Sequence, residues 1–320
     1  MLKRFAAVLA VFLCLLQAGC AKREYVITTA FSGDEIMRIN SKSSFMPEMM
    51  LYLTNMQNEY ENVYGQELWD QNVPETPLDV RLKEMVLAKL AQVKVMNLMA
   101  EEYGLTLSDE DRALAESAAK TYFESLNDKE KELMGITEEV VVNAYSEICL
   151  AGRLYEYVIK DVNPEISDDE SRIVTVWHIK VKDRETAKEA LNLIESGEES
   201  FEAVAAKYSE DSEFSYTFGR GEMPPVIEEA AFSLDKDAVS GIIETETGFH
   251  ILKCVSDFDV EMTQLNKETI LKNERKRVFD ETYESFLPGL TKILNRKLVD
   301  SIELIHDPEV TTASFFDAEF

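Results

Sequence analysis

Two histidines in strand-like surroundings, an aspartate at the end of a helix and a closely spaced pair of threonines are the side chains here that are equipped for chemistry. Alternation places Val176, His178 and Lys180 on one face of a strand, and His250, Leu252 and Cys254 on one face of another. Asp211 closes the run Ser200 to Asp211, and Thr245 and Thr247 lead into His250. A metal centre finds no support: the third histidine, His306, opens an acidic tail, and no paired Cys, His and carboxylate spacing occurs. No phosphate-binding or nucleophile-elbow string is present either. No cofactor is expected. By spacing alone, the two strand histidines read as ordinary satisfied core residues.

Five strings in order change that weighting: Trp177-His178-Ile179-Lys180-Val181, the helix Phe201 to Tyr208 with its Ser-Glu-Asp end at Asp211, the turn Gly219 to Met223, the helix Glu228 to Leu234, and Thr245 to Lys253. Together, over about eighty residues, they resemble a parvulin domain. Parvulins are peptidyl-prolyl isomerases. The resemblance implies that His178 and His250 lie together beneath the substrate, linked by hydrogen bonds. Asp211 stands where the family carries Cys or Asp and faces the amide, while Thr245 and Thr247 support the second histidine. Met223 matches an apolar residue of the proline pocket, Ile227 stands where Phe is usual, and Tyr216 and Phe218 are the remaining candidates for substrate contact. Packing alone is the alternative reading for these apolar residues. Between Ser209 and Phe218 the chain lacks the family's glycine-rich segment, so Tyr216 or Phe214 takes the place of the pocket-wall leucine.

The reaction implied is rotation about an X-Pro amide, whose barrier of about 18–20 kcal/mol reflects the double-bond character of C–N. No bond breaks. The site must hold a proline ring in an apolar pocket and favour the twisted amide over the planar one.

The elements that position these residues are expected to form an α+β protein. Lys3 and Arg4, the apolar run Phe5 to Leu16 and then Gln17-Ala18-Gly19-Cys20 read as a secretion signal over residues 1–19, too short to span a bilayer. Its end resembles a bacterial lipobox, with Gln17 where Leu is usual, which implies a lipid on Cys20. Tyr25 to Thr29 and Glu35 to Ile39 read as a hairpin, and helical periodicity follows within a domain spanning 20–165. Its helices start near Ser44, at Leu78, after Ser108 and after Thr137, and Gly104 ends the second. Phe45, Met49, Leu53, Met56, Tyr60 and Val63 form the first apolar face. Met46, Met49, Met50, Met56, Met85, Met96 and Met99 are either core or a pliant client-binding surface.

Val162-Asn163-Pro164 leads into the isomerase domain at 170–258. In 259–306, a helix broken by Pro288 and a strand from Leu298 to Ile305 are expected to pack on the N-terminal domain, followed by a loose acidic tail at 307–320. The layout, a helical domain with an inserted parvulin, resembles bacterial extracytoplasmic foldases. Its implied partners are unfolded exported polypeptides, and its implied place is the outer face of the cell membrane, anchored through Cys20. The alternative is a lipid-anchored holdase whose parvulin domain is weak or inactive. Cys149 and Cys254 read as buried thiols. The chain carries a net charge of −28, and loss of the signal with its two cations leaves −30. Such a surface excludes nucleic acid as a partner and leaves membrane attachment to the anchor.

Overall fold

The computed structural model describes residues 31–71 and 76–320; the signal sequence, Cys20 and the expected strand Tyr25 to Thr29 lie outside them. The chain divides into two compact units, residues up to Asp161 with Lys276–Phe320, and Val162–Arg275. It rejoins the first unit inside the helix Val260–Phe286.

In the first unit, β1 (Glu35–Ile39) is the middle strand of an antiparallel sheet, paired to β2 (Lys42–Phe45) and to the strand Lys292–Leu294. Helices α1 (Met46–Tyr64), α2 (Leu78–Glu102), α3 (Asp109–Ser125), α4 (Asp128–Met134) and α5 (Glu138–Ile159) follow. Local chemistry sets their ends. Ser108 Oγ accepts from Asp111 N at 3.0 Å and the Asp111 carboxylate accepts from Ser108 N at 3.2 Å, which satisfies two otherwise orphaned amides. Gly104, at φ 67°, supplies the left-handed residue that stops α2. Asn127 and Glu130 form a second reciprocal box that starts α4, a short helix the periodicity does not reveal.

Several expectations need correction. Phe45 and Val63 are 40% and 71% exposed, because Phe45 precedes the helix and Val63 sits in its last, unpacked turn. Met49, Met50, Met56, Met96 and Met99 are buried, so they fill the core and do not form a client surface. Leu298 to Ile305 is not a strand. Asn295 Oδ1 caps a short helix, Arg296–Asp300, and Val299 and Ile302 bury with the three-residue spacing of a helical turn. The acidic tail is not loose, for Val310 and Phe315 are buried with Phe315 at 0% exposure. Its acidic side chains are interleaved with aromatic ones, whose burial outweighs the repulsion that charge counting suggests.

The second unit holds the antiparallel sheet β4-β3-β6-β5, from β3 (Val174–Val181), β4 (Ser215–Phe218), β5 (Ile243–Thr245) and β6 (Gly248–Ser256). Its strands alternate between two cores. Ile179, Val181 and Ile251 pack with the helices Arg184–Glu195 and Phe201–Tyr208, whereas Val174, Val176 and Leu252 pack with the helix Pro225–Ser233. Thr263 Oγ1 accepts from Ile173 N at 3.1 Å and Asn266 donates to Ser171 O at 2.9 Å, fastening the start of Val260–Phe286 to this unit. Cys149 and Cys254 are buried free thiols, one in each unit. Among the described residues no helix is long and apolar enough to cross a membrane.

Candidate active site

The register of β3 against β6 brings the two histidines together. Lys180 lies opposite His250 and His178 opposite Leu252, so the imidazoles are diagonal neighbours on one face. His178 Nε2 and His250 Nδ1 are 2.8 Å apart, with the rings 7° from parallel. On its far side His250 Nε2 lies 2.8 Å from Thr245 Oγ1, which lies 3.1 Å from Thr247 Oγ1 and accepts from Thr247 N. The hairpin that delivers these threonines depends on Gly248. Its φ is 138°, and a Cβ there would stand 2.6 Å from Val181 O.

At the other end, His178 Nδ1 is 3.4 Å from Asp211 Oδ2, and Lys180 Nζ is 3.8 Å from Asp211 Oδ1. The carboxylate selects one tautomer arrangement. With Nδ1–H of His178 toward Asp211, Nε2 accepts from His250 Nδ1–H, and His250 Nε2 accepts from the Thr245 hydroxyl. The reverse order would aim a lone pair at the carboxylate. Ser209 Oγ, which accepts from Lys180 N at 3.2 Å and from Asp211 N at 3.4 Å, positions the aspartate.

Both imidazoles are neutral at pH 7. Burial, reinforced by the adjacent His250, pushes His178 down to about 4, and burial followed by Lys180 lowers His250. The sign of the pH dependence follows. The unfolded chain protonates at the ordinary value of 6.5 while the folded one resists to about 4, so the unfolded state binds more protons between those limits. Stability is at full strength above pH 6.5 and falls as pH drops toward 4, by roughly 3 kcal/mol at about 1.4 kcal/mol per pKa unit. Imidazole nitrogen NMR is expected to show His178 unprotonated at pH 5.5. A His178 resonance titrating near 6.5 would contradict the buried relay.

The apolar candidates share one cluster with Leu252, the residue opposite His178. Phe218 and Ile227 are buried at 3% and 6% exposure, while Tyr216 and Met223 are partly buried against them. The Tyr216 ring meets His178 edge-on at 5.5 Å, and its hydroxyl donates to Glu213 O. Tyr216 and Met223 are therefore the accessible members, and Phe218, against Phe232, backs them. Phe214, the other wall candidate, packs its ring against Trp177 on the opposite face of β3. The missing glycines leave no strain. No residue from Glu210 to Phe218 has positive φ, and Glu210 N to Lys180 O at 2.9 Å and His178 N to Phe214 O at 2.7 Å tie the segment along β3.

Sequence reasoning passed over Lys180 and Ser209. The alternation that singled out His178 also placed Lys180 beside it, so that signal was present; nothing local marks Ser209 as the anchor of Asp211.

Residues 179–256 match the PPIC-type PPIASE domain family, the rotamases. Over 307 residues the chain is 25% identical to the foldase protein PrsA of Caldanaerobacter subterraneus, covering 87% of this chain and 93% of that one. It is 28% identical over 280 residues to PrsA of Halalkalibacterium halodurans, covering 80% and 83% of the two chains. Over 89 residues, 26% of this chain and 30% of the relative, identity to PrsA 1 of Listeria monocytogenes reaches 40%. With that domain match, and a likeness to foldases along most of its length, the chain belongs to the parvulin-type peptidyl-prolyl isomerases of the PrsA foldase kind.

Proposed function

We propose that the relay from Asp211 through His178 and His250 to Thr245 is the polar floor on which an X-Pro amide turns, in a foldase that acts on exported proteins. The observation that carries this is the chain of contacts from Asp211 to Thr245 beside an apolar cluster, with 2.8 Å links on both sides of His250. Tyr216 and Met223 hold the proline ring, backed by Ile227 and Phe218. A planar amide is stabilised by a resonance form with negative charge on oxygen. The Asp211 carboxylate beside that oxygen disfavours this form and so favours the twisted amide. Two neutral imidazoles fix the floor by hydrogen bonds without adding a charge that would neutralise Asp211.

In this reading a helical domain that meets unfolded chains carries the isomerase unit, which runs to Arg275, past the limit of 258 expected from sequence, because Thr263 and Asn266 of the following helix are bonded into it. Lipid on Cys20 would hold the protein at the outer face of the membrane, since two acyl chains anchor far more firmly than one. Mass spectrometry of membrane-extracted protein is expected to show a diacylglyceryl group on an N-terminal Cys20, and an unmodified terminus elsewhere would refute the anchor. For the reaction, the chain from Ala21 is expected to accelerate isomerisation across a set of X-Pro peptides in a protease-free assay. No acceleration on any peptide, with suppressed aggregation of an unfolded client, would make the protein a holdase.

A further inference from the structure

From Ser301 to the C-terminus the first unit carries its chain in an unusual way. The segment has no α-helix or strand, only a single 3-10 turn at Phe315–Asp317, and helix-borne side chains grip its backbone. Gln57 donates to Ile305 O at 2.8 Å and accepts from Ile305 N at 3.2 Å, as a neighbouring strand would. Asn58 donates to Thr312 O at 2.8 Å and to Val310 O at 3.3 Å, and Asn127 to Glu309 O at 2.8 Å. One oxygen of Glu130 accepts from both Thr311 N and Thr312 N at 2.9 Å. Asn55 accepts from Phe315 N at 3.1 Å, and Tyr145 Oη donates to Phe315 O at 2.8 Å.

These are expensive groups to place there. With the segment in place Asn55 and Gln57 are 0% exposed, and Asn58 and Glu130 4%, so the polar atoms that hold the segment meet its main chain in place of water. Carboxamides and a carboxylate aimed at main-chain N–H and C=O groups recognise an extended backbone whatever its side chains. One side-chain pocket completes the cleft: Phe315 stacks on Tyr145 at 4.7 Å and 5°, with Tyr52 at 5.1 Å and Tyr122 at 5.5 Å. Beside it, Phe316 meets Tyr52 edge-on and lies 4.1 Å under Lys89 Nζ.

We propose that this cleft is a binding site for extended client segments bearing an aromatic residue, kept closed by the chain's own C-terminal strap. The strap holds the site as a pseudo-ligand. Its tether gives it an effective concentration in the millimolar range, so free segments enter only when it is displaced. The inference rests on the foldase reading only for the kind of client; binding at the cleft needs no isomerase turnover.

The test uses the chain from Ala21, whole and ending at Asp307, with a fluorescent peptide of the sequence Glu309 to Phe320. The truncated chain is expected to bind the peptide at least tenfold more tightly than the whole chain does. The same peptide with Phe315→Ala should lose at least tenfold, and an unrelated unfolded aromatic segment should compete. Full-length Phe315→Ala, whose strap is weakened with the cleft intact, should also take up the peptide better than the parent. The proposal is overturned if the truncated chain is unfolded and the peptide does not restore it, because the strap is then part of the core. It is equally overturned if the folded chain ignores the peptide, if no other segment competes, or if whole chains instead exchange straps as dimers by light scattering. A short X-Pro peptide followed in the same samples separates the two ideas: its turnover should survive truncation, and absence of turnover in the whole chain would count against the isomerase reading alone.

Discussion

Replacing His250 with alanine is expected to lower the stability of the Val162–Arg275 unit by roughly 2–4 kcal/mol, the cost of stranded polar partners together with a cavity. His250 is 5% exposed and stands in the middle of the relay. Its removal leaves His178 Nε2 without a donor and takes from the Thr245 hydroxyl its nearest acceptor, leaving the longer contact to Gly248 O at 3.3 Å. Urea denaturation at pH 7, followed through the fluorescence of Trp177 in β3 with Trp69 of the other unit replaced by Phe in both parent and variant, reads this. Isomerisation should slow as well, because His178 loses the partner that orients it. A change below about 0.5 kcal/mol, the range of ordinary surface substitutions, would mean that water or a shifted neighbour replaces both bonds and that the relay is not structural.

Asp211→Ala is expected to act in the opposite proportion, slowing isomerisation by about 10–100-fold, less than the roughly 100–1,000-fold lost with one preorganised group of a fully enclosed site, because this carboxylate is partly solvated. Folding stability should hardly move. The Asp211 side chain is 26% exposed, its contacts to His178 and Lys180 are long at 3.4 and 3.8 Å, and such partly solvated pairs contribute about 0–1 kcal/mol. Asp211→Asn distinguishes charge from shape, and a carboxylate role requires it to be nearly as slow as the alanine variant. The loss does not arise from charging His178, since Asp211 is the neighbour that raises the pKa of that imidazole, and its removal holds the ring still more firmly neutral. Aggregation suppression should remain at the parental level. If Asp211→Ala turns over a test peptide as fast as the parent, the amide does not face this carboxylate and the role assigned to it fails.

The sequence by itself determined whatever is decided within a few residues. Ser108 with Asp111 starts one helix and Thr137 another, and Gly104 ends a third, because capping bonds and a left-handed φ are satisfied locally. Strand alternation likewise assigned His178 and His250 each to a face, and the family strings identified Asp211, Thr245 and Thr247 as their companions. Tertiary structure decided the rest. That the two histidines meet, 2.8 Å apart, depends on the register pairing Lys180 with His250 across seventy residues of chain, since a slip by one residue would send one imidazole into the opposite core. Ser209 became the anchor of Asp211 only because β3 passes beside it. Leu298 joined a capped turn despite its strand-like surroundings, and Phe315 found a pocket formed by three tyrosines from three helices, the nearest of them 170 residues away. Periodicity and composition report which side chains need burial or a hydrogen-bond partner. Which partner they obtain is settled by long-range packing, where the free energy of many weak contacts outweighs the preference of any short segment.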